Sequence, residues 1–288
     1  MKTHHALIPV LASLTLVACG GGEDLPQSLP TPEPEPQPTY TYVALGDSYA
    51  AMGSTAAGTT GPAYCLRSTD NYPGQVLSDA RVTGQDATCQ GAVTADLLQP
   101  RQAGEETIPA QVEALTQDTD LVTLSIGGND IGFGDVAGCF LAAMQAGRPS
   151  DCATTWQQSV DTRLAELPER LDEVYRAIDE RSDGARVITT GYLPLLAPED
   201  DCAEVEVLSP GDRAWVVTLT GQINGVIADV AQRHGAEMVL PGQAGDHTGC
   251  VEPERRWVDF FGSQTGAFPM HPTPTGQAVM AQAVLEAL

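Results

Sequence analysis

Lysine is nearly absent: Lys2 is the only one in the 288 residues. With 14 basic side chains against 38 acidic ones, the net charge is −24. Such a surface repels phosphate backbones, so nucleic acid is not an expected partner. It also disfavours electrostatic adsorption to anionic lipid. None of the seven cysteines sits in a Cys-x-x-Cys pair, which removes zinc-ribbon and thioredoxin readings. No cluster of His, Asp and Glu has metal-ligand spacing, and Gly127-Gly128 lacks the spacing of a dinucleotide fingerprint. No metal and no cofactor are therefore expected. No apolar run reaches bilayer length, and no internal repeat is present.

What is present begins with a leader. Residues 6–18 form an apolar run behind Lys2, too short to span a membrane but suited to a signal-peptide core. The run ends in Leu16-Val17-Ala18-Cys19, which resembles the lipobox of bacterial lipoproteins. That resemblance implies a lipidated Cys19 and a chain anchored at the cell envelope, its only expected membrane contact. An ordinary cleaved signal with a chance cysteine is the alternative. Gly20 rather than an acid follows Cys19, which favours the outer membrane or the cell surface. Residues 20–39 are rich in alternate prolines and read as an extended tether. Residues 40–288 read as one domain without an internal linker.

Within that domain strand-like runs fall at 41–45, 86–90, 121–126, 186–190 and 236–240. Helical stretches fall at 72–80, 108–116, 154–181, 211–233 and 274–287. In 154–181, Val160, Leu164, Leu167, Leu171, Val174 and Ile178 make a one-sided apolar stripe. Alternation of the two types predicts a three-layer α/β/α sandwich around a mainly parallel five-stranded sheet. Segments 52–70, 131–153 and 192–210 read as loops. Six cysteines lie in this domain, an even number that suits disulfides in an oxidising compartment. Six allow 15 pairings. The nearest-neighbour set, Cys65–Cys89, Cys139–Cys152 and Cys202–Cys250, is favoured because each bridge would staple one loop region.

Chemistry-bearing residues follow three of the strands: Gly46-Asp47-Ser48, Gly91, and Gly127-Gly128-Asn129-Asp130. A fourth place, His271-Pro272, opens the last helix. Carboxyl ends of parallel strands share one edge, so these places can converge. Ser48 is either a plain helix cap or a nucleophile, and a nucleophilic serine needs a base such as His271. An oxyanion needs donors, which backbone N–H groups and an asparagine amide supply.

These four blocks, in this order, resemble the SGNH (GDSL-type) hydrolases, and the resemblance spans essentially all of 40–288. The six cysteines and the run Gly-Asp-Ser-Tyr-Ala are similar to the disulfide-bonded secreted lipase and esterase branch known from actinobacteria. The resemblance implies a flavodoxin-like fold and a cofactor-free ester hydrolase. It implies Ser48 as nucleophile, His271 as base, and the Ser48 and Gly91 N–H groups with the Asn129 amide as oxyanion hole. It also implies cysteines paired in sequence order, the set already favoured.

One departure stands out. Many members place Asp three residues before the histidine, whereas position 268 here is Phe. Part of the lipase branch that the chain resembles uses a main-chain carbonyl at that position, which implies that the Phe268 carbonyl orients His271, with Asp259 as the rival. His234 and His247 read as structural. Ile131, Phe133, Phe140, Leu141, Met144 and Leu193 suggest an acyl-binding surface. The expected partner is a small-molecule or lipid ester, bound by a monomer. A phospholipase or a carbohydrate acetyl-esterase would use the same residues, and a lipid-anchored binding module without turnover is the reading of another class.

Overall fold

A parallel strand covered on both faces needs apolar side chains on both, and Tyr42-Val43-Ala44-Leu45 supplies them. The computed structural model describes residues 39–288, which fall in a single unit. The leader 1–19 with Cys19, and the tether as far as residue 38, lie outside the described residues.

Five strands form the central sheet: β1 (Tyr40–Gly46), β2 (Val82–Asp86), β3 (Leu121–Ser125), β4 (Arg186–Thr190) and β5 (Glu237–Val239). Their order is β2-β1-β3-β4-β5 and every pairing is parallel. The chain leaves β1 toward one side and returns to pair β3 on the other. The strand order reverses there, which makes the gap beyond β1 and β3 the place where such sheets bind ligands. Gly46 pairs with Ser125, so the two strands end level at that crevice.

Eight helices complete the domain: α1 (Ser48–Ala51), α2 (Tyr72–Val76), α3 (Thr94–Leu98), α4 (Gly128–Ile131), α5 (Phe133–Ala146), α6 (Cys152–Arg181), α7 (Pro210–Arg233) and α8 (Pro274–Glu286). Alternation of side chains along β1 separates two cores. Val43 and Leu45 join the stripe of α6 and the inner face of α7 on one side. Tyr42 and Ala44 join Tyr72, Val76, Met280 and Val284 of α2 and α8 on the other. The fold is therefore the three-layer α/β/α sandwich that the alternation predicts. Among the described residues no helix is long and apolar enough to cross a membrane.

Three bridges join Cys65 to Cys89, Cys139 to Cys152 and Cys202 to Cys250. The second ties α5 to the start of α6. That start is capped from another helix: Asp212 of α7 receives the Cys152 N–H at 2.9 Å and the Ala153 N–H at 2.7 Å. Such a cap satisfies two of the four orphan donors of a helix N-terminus.

Four local expectations need correction. The second strand is Val82–Asp86, not 86–90, and residues 87–93 form a loop. The helix at 72–80 is only Tyr72–Val76. Ile108 does not open a helix; it closes a hairpin of Arg101–Ala103 with Glu106–Ile108, and a single 3₁₀ turn, Gln111–Ala114, follows. Segment 131–153, read as a loop, contains α5. Of the glycines at 132, 134 and 138, only Gly132 takes a positive φ, +94°, where it separates α4 from α5.

Candidate active site

At the end of β1 the backbone is held from three directions. The Gln111 side chain bonds both the N–H and the C=O of Gly46, at 2.7 and 2.8 Å, as a neighbouring strand would. The Cys89 N–H also donates to Gly46 O at 3.0 Å, and the Asp47 N–H donates to Ser125 O at 2.8 Å. A Cβ at position 46 would lie 2.6 Å from Ser125 O, so only glycine permits this approach. Asp47 then caps α1 by accepting the Tyr49 N–H at 2.9 Å. Ser48 is the first residue of that helix, and its N–H therefore has no intrahelical acceptor.

At the end of β3 a second turn mirrors the first. Gly128 leaves no room for a side chain: a Cβ there would meet Phe133 at 2.8 Å and the Tyr192 ring at 3.0 Å. The Asn129 Nδ2 donates to Ala92 O at 2.9 Å, which uses one of its two hydrogens. Asp130 receives the Thr94 N–H at 3.0 Å and the Thr94 hydroxyl at 2.6 Å, fixing α3 against α4. Between these anchors runs the 87–93 loop, where Gly91 adopts φ +65° and its N–H has no acceptor among the described residues.

His271 reaches the same edge from a short antiparallel ribbon, Val258–Asp259 with His271–Pro272. Its Nδ1 lies 2.7 Å from the carbonyl of Pro269. A carbonyl only accepts, so Nδ1 carries the hydrogen and Nε2 is left as a base. This corrects the expectation of Phe268, whose carbonyl instead accepts the His271 backbone N–H at 3.1 Å. The cause is Met270, at φ +61°, which turns the chain so that the Pro269 oxygen faces the ring. Asp259 is not the orienter either. Its carboxylate accepts the Phe261 N–H at 3.0 Å and the Thr265 hydroxyl at 2.8 Å, and stands 3.5 Å from Arg256.

Electrostatics follow burial. Desolvation lowers the pKa of His271 below its usual value, against the Pro269 carbonyl, which raises it. The ring is therefore neutral near pH 7. Burial raises Asp47 to about 7, although hydrogen bonds from Tyr192 and Tyr49 oppose the shift. Asp47 faces the Tyr192 hydroxyl at 2.5 Å, and that hydroxyl accepts the Gly128 N–H at 2.7 Å. Tyr192 thus ties the turn after β1 to the turn after β3. Nothing in its own neighbourhood of sequence marks it for this role.

Ser48, Asn129 and His271 line one cavity of about 150 Å³. Its polar end also holds Asp47 and Gly128, and its far wall is apolar: Phe133, Val136 and Phe140 of α5, Val216 and Leu219 of α7, and Leu193. Ser48 and His271 share this cavity, and catalytic hydrogen bonds commonly form only once substrate binds. Gly91 is not part of the wall but adjoins it through the Asn129–Ala92 contact. Of the apolar residues singled out from sequence, Phe133, Phe140 and Leu193 face the cavity. Ile131 is fully buried in the core, and Leu141 and Met144 pack against it. His234 stacks on Tyr175 and pairs with Asp172, while His247 stacks on Trp257, so neither approaches the cavity. Among the described residues no group of three His, Cys, Asp or Glu side chains could hold a metal ion.

An imidazole and a serine hydroxyl that line one cavity, with an apolar trough behind, suit acyl transfer to serine. Serine ester hydrolases are the class that combines such a site with this sheet. The chain matches the model of the GDSL-like Lipase/Acylhydrolase family over residues 44–279 and belongs to that family. It is 33% identical to Lipase 2 of Streptomyces coelicolor over 257 residues, 85% of each chain. Among solved structures it resembles the extracellular lipase of Streptomyces rimosus, with a TM-score of 0.70 and 28% identity, over 85% of this chain and 100% of that one. It also resembles phospholipase A1 of Streptomyces albidoflavus, with a TM-score of 0.69 and 29% identity, over 86% of this chain and 99% of that one.

Proposed function

We propose that the protein hydrolyses acyl esters through an acyl-enzyme on Ser48. The Ser48 hydroxyl attacks the ester carbonyl while His271 Nε2 takes its proton. The resulting oxyanion is met by the N–H groups of Ser48 and Gly91 and by the free hydrogen of Asn129 Nδ2. His271 passes its proton to the leaving alcohol, then activates the water that releases the acid. The Pro269 carbonyl holds the ring in the tautomer this needs, so the pair works as a dyad without a carboxylate.

The observation that carries this reading is the single cavity shared by Ser48, Asn129, His271 and an apolar wall. That wall favours a fatty acyl chain over acetyl groups of a polysaccharide. A phospholipid as acyl donor is the second reading, supported by the likeness to phospholipase A1. Three disulfides and the likeness to an extracellular lipase support residence outside the cytoplasm. Lipidation of Cys19 rests on the leader sequence alone.

Initial rates on nitrophenyl esters and on phospholipid vesicles test the proposal with Ser48→Ala and Asn129→Ala. We expect Ser48→Ala to abolish turnover and Asn129→Ala to cost about 10²–10³ in kcat. Wild-type protein as inert as Ser48→Ala would instead favour a binding module.

A further inference from the structure

The proposed oxyanion hole depends on one amide whose direction is not set by any helix or strand. Gly91 sits in the 87–93 loop, at φ +65°, and a Cβ there would meet nothing closer than 3.9 Å. The Ala92 N–H closes a turn on Cys89 O at 3.2 Å and the Gln90 N–H donates to Cys65 O at 3.0 Å, which shape the loop around this peptide. One side chain grips the peptide's own carbonyl. Arg101 opens the following hairpin and reaches back over the loop: its Nη2 donates to Gln90 O at 2.5 Å, and its Nη1 to Gly91 O at 3.0 Å.

The rest of the guanidinium is fixed as well. Nη1 also meets Asp96 Oδ2 at 3.1 Å, and Nη2 meets Cys89 Sγ at 3.0 Å. The Tyr64 ring lies 5.0 Å from the guanidinium carbon. Asp96 in turn accepts the Val93 N–H at 3.0 Å, so the anchor of Arg101 is also an anchor of the loop. Only Nε is buried without a partner.

We propose that Arg101 is the positioning residue of the oxyanion hole, acting through the Gln90–Gly91 peptide. The inference rests on the reading of Gly91 as an oxyanion donor. A trans peptide is planar, so its C=O and its N–H point in opposite directions. Pinning Gln90 O from one side aims the Gly91 N–H to the other. A cation on the carbonyl also polarises the amide and strengthens the N–H as a donor, since chained hydrogen bonds reinforce one another. Arg suits this task better than Lys because its planar fork holds two carbonyls at once. Gly91 O and Gln90 O are consecutive acceptors on one turn, which a single ammonium cannot satisfy with the same geometry.

The test compares Arg101→Gln, Arg101→Lys and Asn129→Ala with wild type. Four quantities are read: kcat, KM, the thermal midpoint, and inhibition by an alkyl boronic acid, which becomes an oxyanion on the serine. A neutral alkyl ether of the same length reports ground-state binding. Arg101→Gln is expected to lower kcat by about 10- to 100-fold, less than outright loss of a donor. Boronate affinity should weaken in step, with KM and ether binding within about twofold. Arg101→Lys should recover part of both. Unchanged kcat and boronate affinity in Arg101→Gln, with Asn129→Ala impaired, would overturn the role of Arg101 alone. Full activity in Asn129→Ala as well would reject the oxyanion-hole reading beneath it. Losses in Arg101→Gln that merely track the fraction of folded protein would also overturn the proposal, leaving Arg101 as a structural strut.

Discussion

Tyr192 and Asp47 meet at 2.5 Å in the interior, phenol to carboxylate, although 145 residues separate them. The same phenol accepts the Gly128 N–H at 2.7 Å, so one oxygen joins the Ser48 turn to the Asn129 turn. Replacing Tyr192 by Phe keeps the ring contacts with Tyr49 and Phe133 and removes only that oxygen. Two buried polar groups then lose a partner, at a cost of about 1–3 kcal/mol. The thermal midpoint should fall, and kcat should drop roughly tenfold or more because misplaced reacting groups are costly. Wild-type kcat in Tyr192→Phe would show that the bridge does not govern the site.

Asp259 faces His271 across a two-residue ribbon, yet its carboxylate is spent on Phe261, Thr265 and Arg256. Asp259→Asn should therefore destabilise the fold while kcat per folded molecule stays within about tenfold. Loss of a triad carboxylate costs about 10⁴ in enzymes that depend on one. A fall of several hundredfold in Asp259→Asn would reject the Pro269 carbonyl as orienter.

The sign of the pH response follows from two shifts. In the proposed mechanism His271 acts as base only when neutral, and burial lowers its pKa. The acid limb of kcat/KM should accordingly have its midpoint below the ordinary histidine value of about 6.5. Asp47 shifts the other way, from 3.8 to about 7. Between those values the native state binds more protons than the unfolded chain, so this group lowers stability as pH rises from about 4 to about 7. Asp47→Asn keeps an oxygen for the Tyr49 cap and should flatten that slope in urea titrations. A second limb near pH 7 in the activity profile, lost in Asp47→Asn, would assign that limb to Asp47. An acid limb above pH 7 that survives in Asp47→Asn would contradict the lowered histidine.

Much of this arrangement was legible because the pattern was local. β3 is a short run rich in Leu and β-branched residues, Leu-Val-Thr-Leu-Ser, and the stripe of α6 has helical spacing, so both announce themselves. Ser48, Asn129 and His271 were visible because each follows or precedes a recognisable element. What stayed hidden depends on contacts without a local pattern. Gln111 and Tyr192 bind backbone atoms or carboxylates far away in sequence, Arg101 binds the carbonyls of the loop before its hairpin, and nothing beside these residues names those partners. The choice of Pro269 over Phe268 turns on the left-handed Met270, a residue type that gives no warning of such a conformation. α5 was obscured by glycines that two of its turns tolerate.

On the proposed reading, acyl-chain preference is set by the apolar residues that α5 and α7 contribute to one cavity. Each methylene buried there is worth about 0.8 kcal/mol, or roughly fourfold in kcat/KM when realised in the transition state. For esters of rising length, kcat/KM should climb by about that factor per carbon and level off once the 150 Å³ is filled. Val216, on α7, lines that space. Val216→Phe should move the plateau to shorter chains while acetyl ester turnover stays within about threefold, with a stability cost of about 1–3 kcal/mol from overpacking. Phe140, on the opposite helix, offers the reverse change. Phe140→Ala enlarges the trough, so the plateau should move to longer chains even as the fold loses about 3–5 kcal/mol. Because both variants lose stability, only opposite shifts in chain length implicate the cavity itself. Identical profiles for wild type and both variants, measured on folded protein, would place the acyl chain somewhere else.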